Sequence, residues 1–352
     1  MGKMVELGLD TFGDVTAGSD GELESYSRVI RNVVDEGVLA DEVGADFFGV
    51  GEHHRADFAV SSPETVLAVL AGRTNRIHLG SAVTVLSSDD PVRVFQRFAT
   101  VDAASGGRAE VILGRGSFTE SFPLFGYDLA RYEELFEEKL DLFVKLLSEE
   151  PVTWAGHTRS SLRDQRVFPT TQSGLTAWVG VGGSPESVIR AAHHGLPLML
   201  AIIGGDPARF SPYTDLYRRA LEEFGQPDRP IGVHSPGFVA ATDAEAKEVL
   251  WPYYKESRDR IGAERGWPPA TRSGFEHEAS AAGSLYVGSP ETVAAKIAQT
   301  VVTLGVDRFD LKYSSGRLPH HLLMENIELY GTRVIPLVHE MLADAEGVRR
   351  AS

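Results

Sequence analysis

Three titratable side chains stand together in the stretch GVGEHHRADF, which runs from Gly49 to Phe58 and places Glu52, His53 and His54 directly behind an apolar run. An imidazole titrates near pH 6.5, so it can donate or hold a proton at a working pH, and a neighbouring carboxylate can orient its ring and fix the tautomer. Adjacent residues of an extended chain point to opposite sides, so His53 and His54 are expected to diverge and not to share one metal ion. The dipeptide recurs at His193 and at His320. What distinguishes the first copy is therefore its place, at the end of a strand-like run.

Other stretches carry anion chemistry. GRGS, from Gly114 to Ser117, sets Arg115 between glycines that let a ligand approach the backbone, and a guanidinium binds phosphate bidentately. VGGSPES, from Val181, reads as strand, the glycine turn Gly182–Gly183, and a helix start with Ser184 as N-cap and Pro185 in the first helical position. Helix N-termini of this kind bind phosphate through free N–H groups and the helix dipole. VGSPETV, from Val287, repeats the pattern almost letter for letter, and SSG at Ser314 is a third candidate. The chain has no cysteine, which excludes disulfides, thiolate nucleophiles and thiolate-bound metals.

Positioning these groups requires a scaffold. Eight strand-like runs begin at Met4, Phe47, Ile77, Ala109, Thr176, Leu196, Gly232 and Arg308, most of them continuously apolar as parallel strands covered on both faces are. Helical patterns lie between them: Phe136, Leu140, Phe143 and Leu147 fall on one helix face. Eight strand–helix units without a Pro/Gly/Ser-rich linker predict an α/β fold, a single (β/α)8 TIM-type barrel domain over 1–352, with insertions after strand four and before strand eight. A doubly wound sheet is disfavoured because LGLDTFGDVTAG, after the first strand, lacks the G-x-G-x-x-G fingerprint. The insertions are the long segments that start at Arg115 and Arg265, expected as loops that wall or cover a pocket. In such a barrel chemistry gathers at the C-terminal strand ends, which is where GEHH, GRGS and VGGSPES fall.

Composition narrows the partners. With 34 Lys+Arg against 50 Asp+Glu, a formal charge of −16, the chain is not expected to bind nucleic acid or an anionic membrane. No run of about eighteen apolar residues occurs and the N-terminus lacks a signal pattern, so a cytoplasmic protein is expected.

At GVGEHH, LGSAVTVLSSDDPVRVFQ (from Leu79), SGGRAEVILGRGSFTESFPLFG (from Ser105) and GGSPESVIRAAHHGLPLMLAIIGG (from Gly182), the chain resembles the bacterial-luciferase-like superfamily of flavin-dependent monooxygenases. The resemblance extends in order over most of the chain. It implies a (β/α)8 barrel, a homodimer, and reduced FMN or, in one branch, the deazaflavin F420. It makes His53 the active-site histidine, with Glu52 and His54 beside it. The isoalloxazine ring would lie on a bulged third strand at Ser81, Ala82 and Val83, where the family often has a non-prolyl cis peptide. Arg115, Ser184 and Ser187 match the family's phosphate-binding positions, beside Gly114, Gly182 and Gly183. No metal is implied. Gly114 stands where luciferase has a cysteine, and Ile202 where it has a tryptophan, so light emission from a long aldehyde does not follow.

The activity so implied is an FMN-dependent monooxygenase that oxygenates a small organic substrate with O2, its reduced FMN supplied by a separate flavin reductase. A dry pocket is expected from the aromatic loop with Phe118, Phe122, Phe125 and Tyr127. The alternatives are an F420-dependent hydride-transfer enzyme on the same barrel, a metal-dependent hydrolase, weakened by the absence of a His-x-His pair at strand one, and a non-catalytic flavin-binding protein.

Overall fold

The computed structural model describes residues 4–18 and 20–351. Eight parallel strands close on themselves: β1 (Glu6–Thr11), β2 (Phe47–Val50), β3 (His78–Val85), β4 (Ala109–Gly114), β7 (Thr176–Val181), β8 (Leu198–Ala201), β9 (Ile231–Val239) and β11 (Arg308–Lys312). Each pairs with the next in that order, and β11 returns to β1. All eight runs read from the sequence are barrel strands. The apolar runs are continuous because one face of each strand packs against helices and the other fills the barrel.

The excursions lie where the sequence puts them, but they carry more regular structure than loops. After β4 come α4 (Ser121–Phe125), α5 (Tyr132–Leu146) and an antiparallel hairpin of β5 (Val152–Trp154) with β6 (Leu162–Gln165). On α5, Phe136, Leu140 and Phe143 are buried as their spacing requires. Before β11 come α8 (Asp243–Arg265), α9 (Arg272–Ala279), the short β10 (Tyr286–Gly288), which extends the sheet from the end of β9, and α10 (Pro290–Leu304). The segment expected as one long loop from Arg265 thus contains a helix, started by the Thr271 side chain, which accepts from Gly274 N.

The lower barrel interior is charged as well as apolar. Phe47, Ile112, Trp178 and Met199 form a cluster separate from the outer shell. Arg308, fully buried, lies 3.4 Å over the Phe47 ring and donates to Glu110 on β4 (2.7 Å) and to both carboxylate oxygens of Asp310 (2.9 and 3.0 Å). Burial works against the charge on Glu110, but Arg308 and His78 outweigh it and hold the carboxyl down at about 2. Burial pushes Asp310 the other way, up to about 7, because Arg308 only partly offsets it and Asp10 adds repulsion. From this cluster Ile112, Met199 and Asp310 reach the cavity above it.

Candidate active site

A cavity of about 770 Å³ opens at the C-terminal ends of the strands. Its back wall comes from β3, β4 and β7. The Ala82–Val83 peptide is cis, and the β3–β4 register shifts between Ala82 and Thr84, so Val83 bulges out of the ladder at the position the resemblance singled out. The wall is kept flat by absent side chains: a Cβ at Gly114 would come within 2.5 Å of Val83 Cγ2, and one at Gly180 within 3.1 Å of Val83 Cγ1. Ala82, Val83, Ile112 and Gly114 line the cavity. Ser81 does not. Its hydroxyl lies within 3.3 Å of both the Ile112 carbonyl and the Ile112 N–H and accepts from Thr84 (2.9 Å), bracing the bulge from behind.

Glu52, His53 and His54 all border the cavity. Strand alternation does not govern the pair, because β2 ends at Val50 and the backbone that follows is irregular; His54 lies on the cavity wall toward the loop that carries Phe125. The two rings differ in environment instead. His54 Nε2 pairs with Glu52 Oε1 at 2.9 Å, and its ring meets Phe125 edge-on. The other oxygen of Glu52 accepts from Val85 N (2.8 Å), while Glu52 N donates to Val83 O (3.2 Å), so one glutamate orients a histidine and clamps both sides of the bulge. His53 packs among Phe12, Phe58 and Phe118, with ring centroids 4.4–5.4 Å away. Burial there pushes its pKa down to about 3 against the attraction of Asp14, so His53 is a neutral imidazole at ordinary pH. Of the four aromatics expected to dry the pocket, Phe118 lines it. Phe122 is buried against Tyr132, Phe125 touches His54, and Tyr127 stacks on Lys139.

Arg115 lies at the rim, paired with Glu133, which also meets Arg190 Nη2 at 3.4 Å. Arg190 comes from α6 (Pro185–His193), which begins at Ser184. The Ser184 side chain accepts from Ser187 N, and Arg190 Nη1 donates to Ser187 Oγ at 3.2 Å. Gly182 lines the cavity; Gly183 (φ 106°), Ser184 and Ser187 lie just outside it. Arg115 and the helix start are thus brought to one rim, joined through Glu133.

The rival anion sites are filled from within the chain. At the second S-P-E copy, Asp243 accepts from Ser289 N (2.7 Å) and from Thr292 Oγ1 (3.0 Å). At Ser314, Asp14 accepts from Ser314 Oγ (2.6 Å), Gly316 N (2.9 Å) and Lys312 Nζ (3.0 Å), and burial is outweighed by these partners, which hold its carboxyl below the usual range. Among the described residues, no carboxylate from another part of the chain accepts from the backbone N–H groups at Ser184–Ser187.

Sequence reasoning missed two features of the cavity. Its roof comes from α8 and the turn that follows, through Tyr254, Ser257, Arg258, Ile261, Arg265 and Trp267. Its floor carries Asp10, His234, Asp310 and Lys312. Each is a charged or titratable residue within a strand, but the sequence does not show which strands meet across the barrel. Nothing in the pattern of α8 marked it as a roof. Among the described residues, no cluster of three or more His, Cys, Asp or Glu could hold a metal ion, and no helix is long and apolar enough to cross a membrane.

A closed parallel barrel with its cavity at the C-terminal mouth defines a TIM-type (β/α)8 protein, and comparison makes the class specific. Residues 11–308 match the model of the luciferase-like monooxygenase family, and the chain belongs to that family. It is 35% identical over 246 residues to 4-hydroxyprotoasukamycin monooxygenase of Streptomyces nodosus subsp. asukaensis, over 65% of this chain and 64% of that protein. It is 29% identical over 225 residues to the alkanal monooxygenase alpha chain of the Kryptophanaron alfredi symbiont, over 63% of this chain and 62% of that one, so both matches span just under two thirds of those relatives. In fold it is similar to the monooxygenase RslO1 from Streptomyces bottropensis, with a TM-score of 0.80 at 23% identity, covering 94% of this chain and 99% of that one.

Proposed function

We propose that the chain is an FMN-dependent monooxygenase that takes reduced FMN and O2 and oxygenates a small organic substrate. The observation that carries the reading is the rim. Of three turns built to bind an anion, the one at Ser184 is not filled by a carboxylate from another part of the chain, and Arg115 and Arg190 stand beside it. A phosphate there would displace the exposed Glu133, whose pairing with the two arginines is worth little in water. The flat wall at Val83, Gly114 and Gly180 fits a planar ring. When bound, reduced FMN would supply the electrons and the site of oxygen activation.

The protein's own groups then have separate tasks. Arg115, Arg190 and the backbone N–H groups at Ser184 hold the phosphate, with Ser187 beside them. Glu52 keeps the Val83 bulge in shape. His53, neutral, would offer one donor and one acceptor nitrogen to a bound ring, and the roof helix α8 would exclude water. The names of relatives support the reading: two are monooxygenases, and one fold neighbour is a Baeyer–Villiger monooxygenase described in complex with FMN. Another neighbour is an F420-dependent secondary alcohol dehydrogenase, which makes F420 the alternative cofactor to test. A reductase acting in trans, a homodimer and a cytoplasmic location belong to the same proposal.

Trp267 lines the cavity, so a bound flavin should quench protein fluorescence. An anaerobic titration with FMN, reduced FMN and F420 is expected to show saturable quenching by reduced FMN. Saturation by F420 alone would replace the monooxygenase with a hydride-transfer enzyme.

A further inference from the structure

The roof of the cavity holds two cations that no step above uses. Arg258 lies on α8 and Arg265 ends it, and both line the cavity. Both guanidiniums rest on Trp267 of the following turn, with Cζ 4.1 and 5.2 Å from the ring centroid. Arg265 is also fixed to the insertion after β4: its Cζ lies 4.8 Å over Phe118, and its Nη2 donates to the Ser117 carbonyl at 3.0 Å.

The acids around them are already engaged. Asp259, which feels the charge of Arg258, is bridged to Lys255; Glu264, which feels that of Arg265, is bridged to Arg55 at 2.6 Å. Glu120, on the cavity lining, is also paired with Arg55. Tyr254, beside Arg258 on α8, is neutral, because burial pushes its hydroxyl up against the pull of the guanidinium. Among the described residues neither Arg258 nor Arg265 has a carboxylate partner.

Arg258 presents one particular edge. Its Nη1 is buried without a partner on the Gly262 side, where a Cβ would lie 3.8 Å from it. Nε and Nη2 have no partner among the described residues either, but unlike Nη1 they keep accessible surface. Those two nitrogens carry parallel N–H bonds about as far apart as the oxygens of a carboxylate, the fork that binds such a group bidentately. A guanidinium is charged at every working pH and has donors only, so what it takes follows from shape and not from titration. An amine is repelled, and a hydroxyl or ketone leaves the charge unmatched. A carboxylate fills the fork and neutralises it. Arg265, with only Nη2 engaged, adds a second charge and further donors. Below the roof the lining is apolar, with Ile261, Phe12 and Phe118. Phe118 carries Arg265 on its face and meets His53 edge-on at 5.4 Å, so an acid anchored at the roof can lay its body beside His53.

We propose that Arg258 and Arg265 form a recognition subsite for the carboxylate of an organic acid substrate with an apolar body, the Nε–Nη2 edge of Arg258 taking its two oxygens. The subsite deepens the monooxygenase reading and rests on it for the word substrate. The arginine pair itself stands on geometry that needs no flavin.

The test uses two probes alike in shape, 2-naphthoate and its neutral amide 2-naphthamide, on the full chain without flavin, by calorimetry, with a separate FMN titration of each variant. The protein should bind the acid about tenfold more tightly, the worth of a charge-assisted hydrogen bond. Arg258→Gln should bring that ratio toward one and Arg265→Gln should reduce it. Both should keep wild-type affinity for 2-naphthamide and for FMN, which also shows that they are folded. Arg115→Ala, at the rim, should do the reverse, losing FMN affinity and keeping the preference for the acid. Equal affinity of wild-type protein for the two probes would overturn the proposal. So would a preference that vanishes in Arg115→Ala and survives in Arg258→Gln, which would put the carboxylate at the phosphate rim. A loss of FMN affinity in the roof variants as large as in Arg115→Ala would also overturn it, by making the roof arginines flavin contacts. If wild-type protein fails to bind FMN while the acid preference holds and is lost in Arg258→Gln, the flavin reading falls and the subsite stands.

Discussion

His53 and His54 are neighbours in sequence and border one cavity, yet their surroundings give them different work. His53 has no charged partner and sits among aromatic rings, whereas His54 is tethered to Glu52. General acid–base or hydrogen-bond help is worth about 10²–10⁴ in rate. His53→Ala should therefore lose turnover on that scale and keep most of its affinity for FMN, and His54→Ala should lose less. Steady-state kinetics with a reductase system compares the two, and a dead His54 variant beside an active His53 variant would exchange their roles. Because burial holds His53 at about 3, the pH profile of kcat should show no His53 limb between pH 5 and 8. At the rim, Arg115→Ala should weaken FMN binding by roughly 1.5–3 kcal/mol, the worth of a charge-assisted hydrogen bond. Glu133→Gln should tighten it, since Glu133 competes for the same guanidinium. Fluorescence titration measures both; a tighter Arg115 variant or a weaker Glu133 variant would move the phosphate elsewhere.

At the scale of elements, the wall depends on β3, β4 and β7 keeping their small residues. Gly114→Ala drives a Cβ into Val83 and should cost about 1–3 kcal/mol of stability, as overpacking does, while weakening flavin binding. Gly182→Ala has open space around its Cβ, so its urea midpoint should stay within error, and any loss should appear in FMN affinity alone. Equal destabilisation of both would mean the bulge yields more easily than its packing indicates. The elements themselves were largely legible. Mostly apolar runs announced the eight barrel strands, and S-P-E announced the helix starts at Ser184 and Ser289. Three things were not. The backbone after Val50 leaves the strand, so alternation does not describe how both histidines come to border the cavity. The hairpin of β5 and β6 is short and mostly exposed, so it carries no apolar signature. Ser81 faces away from the cavity because the bulge that follows is a backbone event, invisible in side-chain pattern.

Across the whole molecule, the barrel is joined at its base by ions as well as by packing. Arg308 on β11 reaches Glu110 on β4, four strands away in the sheet order, and Trp178 donates to the same glutamate at 3.0 Å. Arg308→Met would strand two buried carboxylates, and removing one partner of such a pair typically costs about 3–5 kcal/mol. Urea unfolding should show that loss, partly recovered when Glu110→Gln is added; an unchanged midpoint would mean water or rearrangement satisfies the carboxylates. The rim was legible because glycines, a serine cap and an arginine have local signatures, and the back wall only through the family resemblance. The sequence did not point to the floor or the roof, because His234, Asp310 and α8 meet Asp10 and the wall only once the barrel closes. The central claim is oxygen chemistry on a flavin held in that mouth. Its most direct measurement mixes the anaerobic complex of protein and reduced FMN with oxygenated buffer and follows flavin absorbance against free reduced FMN. The account predicts a reoxidation course that differs from that of free flavin and is altered by His53→Ala. Reoxidation identical to free flavin, with wild-type protein at saturating concentration, would contradict it.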